Sequence, residues 1–156
     1  MLIQTAGQLI EGRPLYRIRP EQSVLRAAQL LETENIGALA VMEDDRLVGI
    51  LSERDVVRRC VAREWPPATT IVQQIMTADP QTVGREAPLV VAMDLMQRRG
   101  FRHLPVVDDG HVYGMLSLRD IPGRYAVLHE RFEAAFTELE DAVRLGTHNS
   151  VELPRE

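Results

Sequence analysis

The heptapeptide Gly49-Ile50-Leu51-Ser52-Glu53-Arg54-Asp55 returns 65 positions later as Gly114-Met115-Leu116-Ser117-Leu118-Arg119-Asp120. At the same offset Glu21 meets Glu86, Ala27 meets Ala92, Leu30 meets Leu95, Leu39 meets Leu104, Val41 meets Val106 and Asp44 meets Asp109, without a gap. An internal repeat decides the fold before any single element does, because each copy is one supersecondary unit that buries its apolar face against another. In both copies the phrase closes an apolar strand and opens a helix at its Ser.

Working outward in the first copy, Val24, Ala27, Ala28, Leu30 and Leu31 recur at helical spacing behind Ser23, a candidate N-cap. That helix stops at Asn35-Ile36-Gly37, where Asn and Gly supply left-handed positions. Residues 38–42 read as a short buried strand, Glu43-Asp44-Asp45 as a hairpin turn, residues 46–51 as a second strand and residues 52–63 as a second helix. The second copy predicts a helix over 89–99, with Pro88 near its first position where a missing N–H is harmless. A break at Gly100, a strand over 103–107, the turn Asp108-Asp109-Gly110, a strand over 112–116 and a helix start at Ser117 come next. Arg17-Ile18 and Thr82-Val83 read as short leading strands. Pro66-Pro67, a short helix over 71–76 capped by Thr70, and an Asp79-Pro80 turn form the linker.

The expected class is therefore α/β (α+β), two β-α-β-β-α repeats. About 60 residues make a marginal core, so the halves are expected to pack face to face. The copies part at Ile121-Pro122-Gly123, where the first has Val56-Val57-Arg58. Pro122 cannot donate within a helix, so the one opened at Ser117 should stop after about one turn. Beyond it, residues 125–145 form an amphipathic helix whose stripe is Leu128, Phe132, Ala135, Phe136, Leu139 and Val143, with Glu133, Glu138 and Glu140 facing away. That stripe either packs on its own module or meets a dimer mate or partner. The expected divisions are residues 1–65, 66–80, 81–123 and 124–146, with 147–156 a disordered tail.

Composition narrows the function. The 156 residues carry 18 basic and 23 acidic side chains, net charge −5, and every basic residue is Arg. Without Lys, Schiff-base and P-loop lysine chemistry are excluded. The acidic balance and the absence of a basic stripe argue against nucleic acid. Charges interrupt every apolar run short of the ~18 residues that span a membrane, and residues 1–12 lack a signal-peptide core, so a soluble, cytoplasmic protein is expected. The lone Cys60 fits a reducing compartment. No Gly-x-Ser-x-Gly elbow, His-Glu-x-x-His motif or paired Cys ligands occur, and His103, His111, His129 and His148 lack metal-ligand spacing. The expectation is a non-enzyme with no metal and no catalytic cofactor.

Gly-x-x-Ser-x-x-Asp at a strand-to-helix junction turns first-turn N–H groups toward a cleft, where a phosphate could dock. Its Asp can accept from both hydroxyls of a ribose. Gly49 and Gly114 would let a ligand approach the backbone. The same Ser-x-x-Asp is also close to a capping box that stabilises a helix start with no ligand, and both readings stand. Phe101, Arg102 and His103 replace Ile36, Gly37 and Ala38 of the first copy. Arg102 can meet a phosphate bidentately, His103 can donate to one and Phe101 can border a base; the alternative for Arg102 and His103 is a solvated strand edge.

The repeat resembles the cystathionine-β-synthase (CBS) domain, and two in tandem resemble a Bateman module. Further phrases of that family are Phe101-Arg102-His103-Leu104-Pro105-Val106-Val107-Asp108, and Asp79-Pro80 after Ile75-Met76-Thr77. The resemblance covers roughly residues 3–123. It implies a pseudo-twofold pair with two clefts, adenosyl ligands such as AMP, ADP, ATP, NAD(H) or S-adenosylmethionine, and association into a disc-like homodimer. Carried over, the motif Asp holds ribose hydroxyls and the motif Ser lies near ribose or phosphate. The principal site is expected around Asp120, with Ser117, Arg119, Phe101, Arg102, His103 and Pro105, and with Thr82 and Val83 as base or ribose neighbours. A secondary site is expected around Asp55, with Ser52, Arg54, Ile18, Ile36, Gly37 and Ala38. Arg54 and Arg119 either neutralise the adjacent Asp or reach a phosphate. The function so implied is a regulatory module that binds AMP, ADP, ATP or NAD(H) and signals energy or redox state to a partner protein. The alternative is a ligand-free scaffold whose motifs are caps and whose C-terminal helix mediates association.

Overall fold

Acidic hairpin turns set the frame, because Asp and Asn tolerate left-handed backbone: Asp44 and Asp109 take φ of 51° and 46° and reverse the chain between two apolar strands. The computed structural model describes residues 4–146. It runs α1 (Ala6–Ile10), β1 (Arg17–Ile18), α2 (Val24–Thr33), β2 (Ala38–Glu43), β3 (Arg46–Ser52) and α3 (Glu53–Asp55). Then come β4 (Thr77–Ala78), β5 (Val83–Gly84), α4 (Leu89–Arg99), β6 (His103–Asp108), β7 (His111–Ser117) and α5 (Arg124–Gly146). The strands make two sheets, ordered β1-β2-β3-β4 and β5-β6-β7.

The repeat holds down to the register. Ala38 faces Ser52 as His103 faces Ser117, Ile18 runs parallel to Val41 as Val83 does to Val106, and both hairpins carry an irregularity, at Val41/Met42 and Val106/Val107. Each bulge adds one residue to the second strand and tightens its twist. Ser23 caps α2 as expected, its Oγ accepting from the Arg26 N–H at 3.1 Å. This sets Val24, Ala27 and Leu31 on the buried face, in one cluster with Leu39, Val41 and Leu51. Leu104 and Leu116 are as fully buried in the second repeat as Leu39 and Leu51 in the first.

α1 was not anticipated, and it crosses to the other repeat. Thr5 caps it, Ala6 N–H donates to the Ala87 carbonyl at 2.8 Å, and Gly7 N–H to that of Arg85 at 2.9 Å. The linker makes the reciprocal move: Val24 N–H donates to Thr70 O and Val72 N–H to Gln22 O, both at 2.8 Å, and Val72 and Ile75 complete the first repeat's core. Each repeat is thus finished by the segment that leads into the other. β4, also unforeseen, extends the exchange by pairing with β3.

Other expectations need correction. The linker helix is a 3-10 turn over Val72–Gln74, and Thr70 does not cap it. The buried Thr70 hydroxyl donates to Pro66 O at 2.9 Å, and Gln74 Oε1 accepts the Ile71 N–H instead. Pro88 is the N-cap of α4, with ψ of 140°, and not its first helical residue. The second leading strand is Val83–Gly84, one residue later than expected. After α3 the helical path widens into a π-helix over Val56–Cys60 and tightens into a 3-10 turn over Val61–Arg63 before Glu64 ends it at φ 58°. Pro122 acts as expected: a single 3-10 turn, Leu118–Asp120, comes after Ser117, and Ile121 is already extended.

The chain divides into two compact units at Ile121/Pro122, the second built on α5. Within α5, Thr137 Oγ1 donates to Glu133 O at 2.9 Å. Val127 and Leu128 are exposed, although Leu128 belongs to the expected apolar stripe. The expected disordered tail lies outside the described residues.

Candidate functional site

The first motif is held from both ends. Ser52 Oγ accepts the Asp55 N–H at 3.3 Å, while Asp55 Oδ2 accepts from Ser52 N–H at 2.8 Å and from Ser52 Oγ at 2.9 Å. This is a closed capping box, and it fixes the carboxylate at the mouth of α3. Oδ1 faces the Arg59 guanidinium at 3.6 Å. Arg59 in turn donates to the carbonyls of Ile75 and Met76, so the helix is tied to the linker.

The second motif is built otherwise. Ser117 makes no side-chain cap, and Asp120 Oδ2 lies 2.8 Å from Nη1 of Arg13, a residue just beyond α1. With the helix cut after one turn, nothing orders Asp120 back onto Ser117. The leading backbone N–H of each first turn is also spent. Glu53 N–H donates to Gly37 O at 3.0 Å and Leu118 N–H to Arg102 O at 2.8 Å.

A cavity of about 580 Å³ opens at the first motif. Ile50, Ser52, Glu53, Arg54, Asp55, Arg58 and Arg59 line it from the first repeat, with Gly37. Thr77, Asp79 and Pro80 contribute from the linker, and Gln81, Arg99, Gly100, Phe101, Arg102 and His103 from the second repeat. Arg54 Nη1 donates to Gly100 O at 3.1 Å and pins the second repeat's loop to the first repeat's motif. Gly100 takes φ of 74° to make that bend.

His103 stands where the repeats touch. A Cβ on residue 37 would lie 2.7 Å from His103 Nε2, so the imidazole packs directly on the Gly37 backbone. Burial, above all, lowers its pKa below the ordinary imidazole value; Arg119, Arg102 and Arg54 add to this, and Asp120 opposes it. The ring is neutral near pH 7.

The residues expected around Asp120 also meet the other motif. Phe101, Arg102 and His103 line the cavity of Asp55 and Ser52, while His103 pairs in register with Ser117 and lies within electrostatic reach of Asp120 and Arg119. The reason is packing: the loop before β6 lies over the other repeat's motif, and no periodicity within a repeat reveals that. Arg54 and Gly37 fall in the cavity as grouped. Ile18, Ala38, Val83 and Pro105 are buried within the sheets and do not line it, nor do Ile36, Thr82, Ser117, Arg119 or Asp120. Gly49 and Gly114 serve packing: a Cβ there would lie 2.5 Å from Met76 Sδ and 2.7 Å from Ile10 Cδ1. Arg58, Arg99, Asp79 and Gln81 were missed. Only the unusual number of arginines flanking the repeated phrases pointed to the first two.

Paired hairpins in identical register, completed by exchanged leading segments and enclosing a cleft between motif and loop, define a class of tandem-repeat α/β module. A family model described as CBS domain matches residues 9–62 and again residues 72–122. The chain is 40% identical to a solved CBS domain crystal structure, over 75% of this chain and 93% of that one, with a TM-score of 0.71. It is 25% identical to a CBS domain protein from Pyrobaculum aerophilum complexed with AMP, over 82% and 99% of the two chains, with a TM-score of 0.73. It is also 34% identical over 109 residues, 69% of this chain, to an uncharacterized 17.7 kDa protein of Acidianus ambivalens. The chain spans 65% of that relative's length, and 19% and 20% of two CBS domain-containing proteins of Arabidopsis thaliana that it also matches. The chain belongs to the CBS domain family, as a tandem pair. Among the described residues no helix is long and apolar enough to cross a membrane.

Proposed function

We propose that this CBS pair is a regulatory module that holds an adenosyl nucleotide, of the AMP, ADP, ATP or NAD(H) kind, in the cavity at Asp55. Its occupancy would be reported to a partner protein, with the pair working as a homodimer. The observation that carries the reading is the meeting, in one cavity, of Ser52 and Asp55 from one repeat with Phe101, Arg102 and His103 from the other. A carboxylate for a ribose diol, guanidinium groups for phosphate and an aromatic edge for a base are the groups such a ligand needs. The AMP complex of the Pyrobaculum relative supports the ligand class. A ligand spanning two repeats has the differential contacts that a conformational signal requires.

The scaffold reading draws on one observation, the closed capping box, which gives Asp55 a structural role without any ligand. Calorimetric titration with AMP, ATP, NAD, NADH and S-adenosylmethionine separates the two. Micromolar binding by the parent chain that disappears in Asp55→Ala and survives in Asp120→Ala supports the sensor. Silence across the panel supports the scaffold.

A further inference from the structure

Among the described residues, five arginines and three carboxylates line the cavity, in a chain whose net charge is −5. Two of the arginines are already engaged: Arg54 on Gly100 O, and Arg59 on Ile75 O, Met76 O and Asp55. Arg58, Arg99 and Arg102 make no side-chain hydrogen bond or ion pair with the described residues. Arg58, Arg99 and Arg102 are exposed, so they stand at the solvent-facing rim of the cavity with their guanidinium donors open to an incoming anion. The Glu53 and Asp55 N–H groups are used up by Gly37 O and Ser52 Oγ, so the guanidinium groups are the cationic partners an anion would meet there.

Resting on the nucleotide reading of this cavity, we propose that it is a polyphosphate site, selective for nucleoside di- and triphosphates, with Arg58, Arg99 and Arg102 as the groups that count phosphates. Each phosphate beyond the first adds negative charge and acceptor oxygens for a guanidinium fork. A monophosphate leaves at least one of the three cations unpaired. S-adenosylmethionine, with its sulfonium cation and no phosphate, adds positive charge to the cluster and is rejected. The dinucleotide NAD offers only two phosphates, flanked by sugars that keep guanidinium groups at a distance, and ranks below the triphosphate.

The test is titration of the full chain in magnesium-free buffer with ATP, ADP, AMP and S-adenosylmethionine. ATP is expected to bind about tenfold or more tightly than AMP, with ADP between them, which is a modest return for two additional charge-assisted contacts. The triple variant Arg58→Gln/Arg99→Gln/Arg102→Gln should weaken AMP as well, since Arg102 also serves a first phosphate, but should weaken ATP about tenfold more and so erase the preference between them. A second measurement needs no variant: raising NaCl from about 50 to about 500 mM should weaken ATP more steeply than AMP, because more charge is neutralised. AMP bound as tightly as ATP, an ATP preference that survives the triple variant, or equal salt dependence would overturn the phosphate-counting role while leaving the nucleotide site standing. Failure of every adenosyl compound to bind would remove both.

Discussion

Two copies of one phrase, Ser52-Glu53-Arg54-Asp55 and Ser117-Leu118-Arg119-Asp120, end in different chemistry. In the first, Asp55 is locked onto Ser52 by three hydrogen bonds and looks into an open cavity; in the second, Ser117 caps nothing and Asp120 is held by Arg13. Two substitutions separate them. Val57 continues a helical path where Pro122 ends one, and Ala78 stands at the repeat position of Arg13. A motif is therefore finished by the residues just after it and by those that reach it from elsewhere, and identical spacing does not make identical sites.

The largest expected effect tests that asymmetry at the ligand. Asp55→Ala should weaken adenosyl nucleotide binding about a hundredfold, the worth of two hydrogen bonds to a charged group, whereas Asp120→Ala should change it less than about threefold. Equal losses in calorimetry would break the distinction between the two sites. Next in size is the junction between the repeats. Gly37→Ala drives a methyl group into the His103 ring and should cost ~1–3 kcal/mol in urea unfolding. Gly84→Ala, where a Cβ meets nothing within 4 Å, serves as its control.

The capping contrast is smaller. Ser52→Ala should cost ~1 kcal/mol, and Ser117→Ala only a few tenths or less, in the same unfolding assay. Comparable costs would show that the second motif also caps. Acidification sharpens the contrast from another side. His103 has a lowered pKa in the folded protein, so the unfolded chain takes up its proton first as the pH falls. Stability contributed by the neutral ring is present above about pH 6.5 and is lost progressively below it. The fall in melting temperature between about pH 7.5 and about pH 5.5 should be visibly shallower in His103→Gln; an unchanged slope would exonerate the histidine. The smallest effect belongs to the Arg13–Asp120 pair, where both side chains are partly solvated. Arg13→Ala should cost no more than ~0.5 kcal/mol.

Most of the architecture could be read from the repeat itself: hairpin boundaries to within a residue, the Ser23 cap, and the interruption at Pro122. α1 escaped although its signal was present. Thr5, Gln8 and Ile10 stand at the same offset from Thr70, Gln73 and Ile75, upstream of the matches used to set the repeat. The site was legible in its residue types and illegible in its grouping. Which loop covers which motif depends on how two similar surfaces meet, and a period along the chain carries no information about that. Arg58 and Arg99 were hidden for a different reason: in a chain whose only cation is arginine, no single one stands out until a cavity gathers them.

The exchanged leading segments leave neither repeat self-sufficient. Cut out on its own, either one would lose part of its cover, because α1 is seated on the second and the linker turn on the first. A chain severed between them would yield two peptides that become whole only by clasping each other, arm for arm. Such a grip does not require the two to be alike, so Asp55 can look into a cavity while Asp120 is held by Arg13.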